Sequence, residues 1–341
     1  MAIALMGTYE HNRRKPMHRR DFNRIALTLL GAAPLTTVRS AERYPAKPIS
    51  LVVAYSAGGS ADLRARQVGR YMSTALAQPV VVENRPGGAG NIGTQYVARA
   101  RPDGYVLGIG NLGPLSVNPA LFANLSFDPA KDLTMIALIE RGPLLLLVRP
   151  DSPYKSVADL IRSAKASPTG LTYGSSGAGG AHHLSGELLK SLTGSNLVHI
   201  PYKGGTGAMV DLLGGRLDFL FEPMYSALPA TRMGKVRSLA VTSKGRSALL
   251  PGVPTMDEAG VPGFQVENWQ GLVGPAGLPT PIIQTLNKTV NQALQDREIR
   301  TLLLSQGNEP GGGTPEAFAA YVKAERSRWQ QLIRASGIEP S

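Results

Sequence analysis

Short apolar runs alternate with stretches in which apolar residues recur every three or four positions, and this rhythm persists through most of the chain beyond residue 44. Strand-like runs at 49–54, 80–83 and 105–109 are separated by helical patterns at 62–77 and 94–101. A second round follows the long apolar segment 135–148: helix 157–166, strand 171–173, helix 182–192, strand 197–200, helix 206–213, and strands 218–221 and 238–242. Strands alternating with helices predict parallel sheets flanked by helices. A Pro- and Gly-rich stretch, 250–281, contains a strand-like segment at 265–273, and helical patterns at 281–296 and 315–336 close the chain. A return of this kind to the first half predicts two α/β lobes around a cleft, since ligands of open α/β sheets gather at the carboxyl ends of strands.

The first forty residues do not follow this rhythm. Arg19-Arg20 with Phe22 precedes an apolar run, 25–35, and small residues follow it. This is the layout of a cleavable export signal over residues 1–40, twin-arginine-like or of the ordinary secretory kind, with Met17 as an alternative start. Asn23 departs from the apolar residue usual at that place in twin-arginine signals. The run falls short of the roughly 20 apolar residues of a membrane span, so cleavage near Ser40 or Ala41 and a periplasmic mature protein are expected.

Charge changes with that cut. The whole chain carries a formal +12, but residues 1–40 hold seven of the basic and two of the acidic residues, leaving +7. The remaining cations are scattered, among them Arg64, Arg70, Arg99, Arg216 and Arg326, with no basic stripe and few interleaved aromatics. That pattern argues against nucleic-acid binding and suits the capture of small anions. With no cysteine, neither a disulfide framework nor thiol chemistry is available.

Candidate chemistry sits in four glycine-rich loops, each placed between a strand and a helix. The first is Ala54-Tyr55-Ser56-Ala57-Gly58-Gly59-Ser60-Ala61-Asp62; the others are 86–93, 173–180 and 202–207. A helix start carries unpaired amide N–H groups and the positive end of the helix dipole, and glycine lets a carboxylate or phosphate reach them. Glycine also permits tight turns and close packing, so one such loop alone would mean little. Asp62 falls in a first helical turn, where it either stabilises the helix end or meets a ligand ammonium; Tyr202 either packs or hydrogen-bonds ligand.

Other constellations fail for want of context. Gly88-x-Gly90-x-x-Gly93 and Gly108-x-Gly110-x-x-Gly113 match a dinucleotide fingerprint, but neither leads through a βαβ unit to a strand-end acid. His182, His183 and Glu187 lack the order and the third distant ligand of a zinc site. Ser175 or Ser176 with His183 and Asp211 could be drawn as a hydrolase triad, yet no G-x-S-x-G elbow exists, and no Walker motif supports nucleotide hydrolysis. No metal, cofactor or catalytic residue is therefore expected.

Taken in order, several motifs resemble the Bug family, the extracytoplasmic solute receptors of tripartite tricarboxylate transporters. They are Ala57-Gly58-Gly59-x-x-Asp62, the run from Glu83 to Gly93, Pro102-Asp103-Gly104-Tyr105, Tyr173-Gly174-Ser175-Ser176-Gly177, Pro201-Tyr202-Lys203-Gly204, Asp211-Leu212-Leu213-Gly214-Gly215-x-x-Asp218, Pro254-Thr255-Met256, Trp269-x-Gly271 and Gly313-Thr314-Pro315-Glu316. The likeness spans nearly all of residues 44–340. It implies a type II-like, two-lobed periplasmic binding fold of the venus-flytrap kind, with lobe 1 at 44–143 and 266–341 and lobe 2 at 144–265. It also implies a small carboxylate ligand held by Tyr55, Ser56, Ala57, Gly58, Gly59, Asp62, Ser175, Ser176, Gly177, His183, Tyr202, Lys203 and Gly204. Two departures are visible: Tyr55-Ser56-Ala57 replaces a Phe-Pro-Pro-like lead, and Gly179-Gly180-Ala181-His182 varies the second-lobe loop. The implied partner is a membrane permease; a periplasmic sensor serving a kinase and a small hydrolase are the alternatives. A monomer without nucleic-acid partners is expected.

Overall fold

Apolar strands and one-sided helices assemble into a mixed sheet, seen in a computed structural model that describes residues 44–177, 179–202 and 205–335. The expected export signal, Lys203 and Gly204 lie outside the described residues.

The first half is built as the rhythm predicts. Strand β1 (Ile49–Val53) lies between β2 (Val80–Asn84) and β3 (Val106–Asn111), parallel to both. Helix α1 (Ser60–Leu76) buries Ala61, Ala65, Val68 and Met72, one stripe at helical spacing, against this sheet. It stops where Ala77 turns left-handed. Helix α2 (Asn91–Ala98) and a short helix α3 (Asn118–Leu121) complete this half's crossovers.

Strand β4 (Leu133–Val148) departs from the expected all-parallel plan. Its first part pairs antiparallel with β9 (Glu267–Pro275) and β10 (Glu309–Gly312), and its last residues, from Leu144, pair with β7 (Phe219–Pro223) and β8 (Arg237–Val241). Strand β9 pairs β3 on its other side, also antiparallel. The physical reason is length: a strand of 16 residues, apolar along most of its course, can be covered by successive partners on both edges. Leu144, Leu146 and Val148 point into one apolar cluster while Leu145 and Leu147 point into another, the two-residue period of a strand buried on both faces.

The second half repeats the parallel motif, with β5 (Leu171–Ser175) between β6 (Leu197–Pro201) and β7. Its helices are α4 (Val157–Ala166), α5 (Ala181–Thr193), α6 (Gly205–Leu213) and α7 (Met224–Arg232). The periodic pattern gave no sign of α7, which holds Pro229 in its interior. Helices α8 (Thr280–Gln295), α9 (Arg297–Ser305) and α10 (Pro315–Ala335) close the chain. Phe318, Val322, Trp329 and Ile333 of α10 join the cluster that contains Leu115, Leu146 and Phe221, so the returning chain is packed against both halves.

Candidate functional site

Four glycine-rich turns follow β1, β2, β5 and β6, so all of them leave carboxyl ends of parallel strands. At the first, residues 56–59 are exposed and Gly58 has a φ of +81°, which favours glycine. Asp62, in the opening turn of α1, reaches back to accept from the Gly58 amide at 2.9 Å, from Asn84 Nδ2 at 3.0 Å and from Arg66 Nε at 3.1 Å. Burial pushes its carboxyl up, but the hydrogen bonds from Arg66, Gly58 and Asn84 prevail and hold it below the usual carboxylate range. Both oxygens are thus occupied inside the chain, and Asp62 holds the loop's shape. The amides of Gly59, Ser60 and Ala61 have no partner among the described residues, and no side chain caps this helix end.

Tyr55 sits behind that turn. Its hydroxyl donates to Asn111 Oδ1 at 3.1 Å, and burial pushes its pKa up to about 12, so it stays a neutral donor. The same hydroxyl lies 2.8 Å from where a Cβ on Gly90 would stand. Turn 87–90 is left-handed throughout: Gly87, Gly88 and Gly90 all have positive φ, and Ala89 holds a φ of +55°. An alanine there costs about 1 to 3 kcal/mol and persists only where neighbours fix it. Asn118 does so, donating through Nδ2 to the Ala89 carbonyl at 3.1 Å and to Asn91 Oδ1 at 2.6 Å. Behind the turn, Gly93 runs so near the end of β1 that a Cβ would fall 2.7 Å from Ala54 Cα.

The loop after β5 is folded by serine and histidine. Ser175, fully buried, pairs its Oγ with His199 Nε2 at 2.6 Å and accepts from the Gly177 amide at 3.1 Å. The Gly179 amide donates to His183 Nδ1 at 3.2 Å, which assigns the His183 proton to Nε2. Burial lowers the pKa of His183 to about 4, and burial with the neighbouring His183 lowers that of His199 to about 4; both are neutral at pH 7. Their rings lie 4.1 Å apart. Ser176 pairs with His182 Nδ1 at 3.0 Å, and the amides of Gly180, Ala181 and His182 at the mouth of α5 have no partner among the described residues.

Tyr202 enters the fourth turn. Its amide donates to the Ser175 carbonyl, joining this turn to the third, while its hydroxyl donates to Asp211 Oδ2 at 2.7 Å. That bond and a second from Arg216 hold the Asp211 carboxyl below its ordinary range, and the bond to Asp211 raises the phenol. Helix α6 then opens at Gly205 beside the buried carboxylate of Glu222.

First-half and second-half turns meet. A Cβ on Gly113 would lie 3.5 Å from both the Gly179 carbonyl and the Tyr55 hydroxyl, and one on Gly179 would lie 2.5 Å from Asn118 Oδ1. The Tyr225 phenol of α7 is influenced by Ser60, the first residue of α1. Tyr55, Ser56–Gly59, Ser175–Gly177 and His183 thus belong to one group of turns, with Asp62, Ser175, His183 and Tyr202 engaged in shaping it. The drawn triad does not assemble, because Ser175 turns to His199, Ser176 to His182, and Asp211 to Tyr202.

Sequence reasoning missed Asn118, Gly113, His199, Tyr225 and Glu222. Only Glu222 left a signal: it is an acid at the carboxyl end of an otherwise apolar strand, Phe219–Pro223.

Comparisons with known proteins bear on the family and the fold. The profile of the family described as "Tripartite tricarboxylate transporter family receptor" matches residues 64–338. Among solved structures, Rpa4515 of R. palustris with adipate is 38% identical, covers 87% of this chain and all of its own, and superposes with a TM-score of 0.83. Periplasmic binding protein BugD is 36% identical with the same coverage and a TM-score of 0.81. MatC of Rhodopseudomonas palustris with bound malate is 34% identical over 85% of this chain and all of its own, with a TM-score of 0.80. The two-lobed α/β architecture of periplasmic binding proteins is therefore the fold of this chain.

Proposed function

The chain belongs to the receptor family of tripartite tricarboxylate transporters, a family of binding proteins and not enzymes, and on that premise we propose that it captures a small carboxylate in the periplasm and hands it to a membrane permease. The observation that carries the reading is a pair of uncapped helix mouths, Gly59–Ala61 and Gly180–His182, belonging to turns that meet through Gly113, Asn118 and Gly179. Main-chain amides aligned with a helix dipole suit a carboxylate and need no arginine partner. A ligand with a carboxylate at each end would engage both mouths, and the adipate and malate bound by two related proteins are of that kind.

In this reading Ser56, Ala57, Gly58 and Gly59 of one lobe and Ser176 and Gly177 of the other line the cleft. Tyr55, Asp62, Ser175, His183 and Tyr202 fix the turns. The lobes divide near residues 143 and 266, in keeping with the exchange of β4's partners after Pro143. Residues 1–40 direct export and are removed.

Thermal unfolding of the purified protein against a panel of mono-, di- and tricarboxylates tests the capture. A ligand at a hundred times its Kd adds about 2.7 kcal/mol of stability, a rise of several degrees in the midpoint. No rise with any acid at millimolar concentration would refute it.

A further inference from the structure

Glu222 is the one acid of β7, and it is more than nine-tenths buried. Oε1 accepts from Ser226 Oγ at 2.5 Å, whereas Oε2 has no hydrogen-bond partner among the described residues. A carboxylate oxygen left so is expensive to bury unless something else supplies a proton or a positive charge.

Its surroundings say what that could be. A Cβ on Gly205, the first residue of α6, would stand 3.1 Å from each carboxylate oxygen. His182 Nε2, on the second residue of α5, lies 3.3 Å from Oε2, too poorly aligned to close the hydrogen bond, and its other nitrogen is held by Ser176. Tyr225 of α7, whose phenol is within the influence of Ser60 at the start of α1, feels the Glu222 charge. The free oxygen therefore stands beside the openings of α5 and α6, next to the amides at which a ligand carboxylate is proposed to be held.

We propose that Glu222 is the specificity-determining acceptor of this site, selecting carboxylates that carry an ammonium or hydroxyl donor over the same acids without one. The inference rests on the capture of a carboxylate proposed above. A bare diacid brings only negative charge towards Glu222 and is repelled by it; an amino or hydroxy acid places its anion on the amides and its donor on Oε2. The selection arises because the amides of a helix mouth cannot tell these acids apart, whereas an acceptor with an open lone pair can.

Isothermal titration of the purified protein with matched sets tests this: succinate, malate and aspartate; glutarate, 2-hydroxyglutarate and glutamate; adipate and 2-aminoadipate. In the set of best-fitting length, a donor-bearing acid is expected to bind at least about tenfold tighter than the bare diacid. In Glu222→Gln that ratio is expected to fall below about threefold. If the bare diacid binds as tightly as its donor-bearing partners, or if Glu222→Gln lowers the melting midpoint without changing the ratio, the inference is overturned while the capture of carboxylates stands. Should Glu222→Gln fail to fold, Glu222→Asp carries the test: a reduced ratio is expected, and an unreduced one overturns the inference. Failure of the unaltered protein to bind any of the acids removes the capture reading itself, and this inference with it.

Discussion

Acidification should unfold this protein through two imidazoles before it does so through its carboxylates. His183 and His199 have folded pKa values of about 4 against an ordinary 6.5, and the largest cause in both is burial. Between those values the unfolded chain binds more protons than the folded one, so stability is intact above pH 6.5 and is lost as pH falls towards 4. For His183, well buried at 8% exposure, the depression corresponds to about 3 kcal/mol. His199 is half-buried and its ring touches His183, so screening and the mutual coupling leave it about 1 kcal/mol. The sum, about 4 kcal/mol, corresponds to a fall of about 10 °C in melting midpoint. Asp62 and Asp211 have lowered folded pKa values, so their contributions survive until pH falls below about 3.8 and do not blur the window. Urea unfolding at half-unit steps from pH 7.5 to 4.5 measures the slope, and a doubly substituted His183→Asn, His199→Asn protein should have lost most of it. Equal slopes in the two proteins, or a flat profile in the unaltered one between pH 6.5 and 4.5, would refute the reasoning. Protonation also removes the acceptor for the Gly179 amide, so ligand affinity should decline over the same range.

Three substitutions probe the scaffold. Asp62→Ala strips the Gly58 amide, Asn84 and Arg66 of a shared acceptor and should lower stability by about 1 to 3 kcal/mol, read from urea midpoints, while weakening carboxylate binding by about tenfold through loss of preorganisation. Unchanged affinity would mean that the first loop does not hold the ligand. Gly93→Ala forces a methyl to within 2.7 Å of Ala54 Cα and 2.8 Å of the Arg85 carbonyl, an overpacking of about 1 to 3 kcal/mol that calorimetry should detect. Glu140→Ala leaves Arg64, itself 5% exposed, without its 2.7 Å ion-pair partner, and about 3 to 5 kcal/mol should be lost; adding Arg64→Met should recover part of it, and a double variant no better than the single one would sink the argument.

The elements that announced themselves were those whose burial is one-sided and local. The stripe Ala61, Ala65, Val68, Met72 gives α1 away, as do the apolar run of β4 and the spaced apolar residues of α10. What stayed hidden depended on distant partners. Nothing local says that β9 inserts antiparallel between β3 and β4, nor that Glu309–Gly312, a segment with a proline and two glycines, pairs with β4. The glycine turns were legible because missing side chains are visible in a sequence. Their internal wiring was not, because Asn84 lies 22 residues from Asp62 and His199 lies 24 from Ser175.

That division bears on specificity. Amides at a helix mouth are supplied by the backbone, so changing the residues there alters access more than it alters the attraction for a carboxylate. A protein 38% identical to this chain keeps the same fold. In this chain His182 of α5 approaches Glu222 of β7 to 3.3 Å, and the Glu222 charge is felt by Tyr225 of α7. On the capture and selection proposed above, affinity for acids as a class belongs to the turns that Asp62, Ser175 and Asn118 fix, and choice among acids belongs to that cluster. Substitutions in the first group should weaken all acids together; substitutions in the second should reorder them.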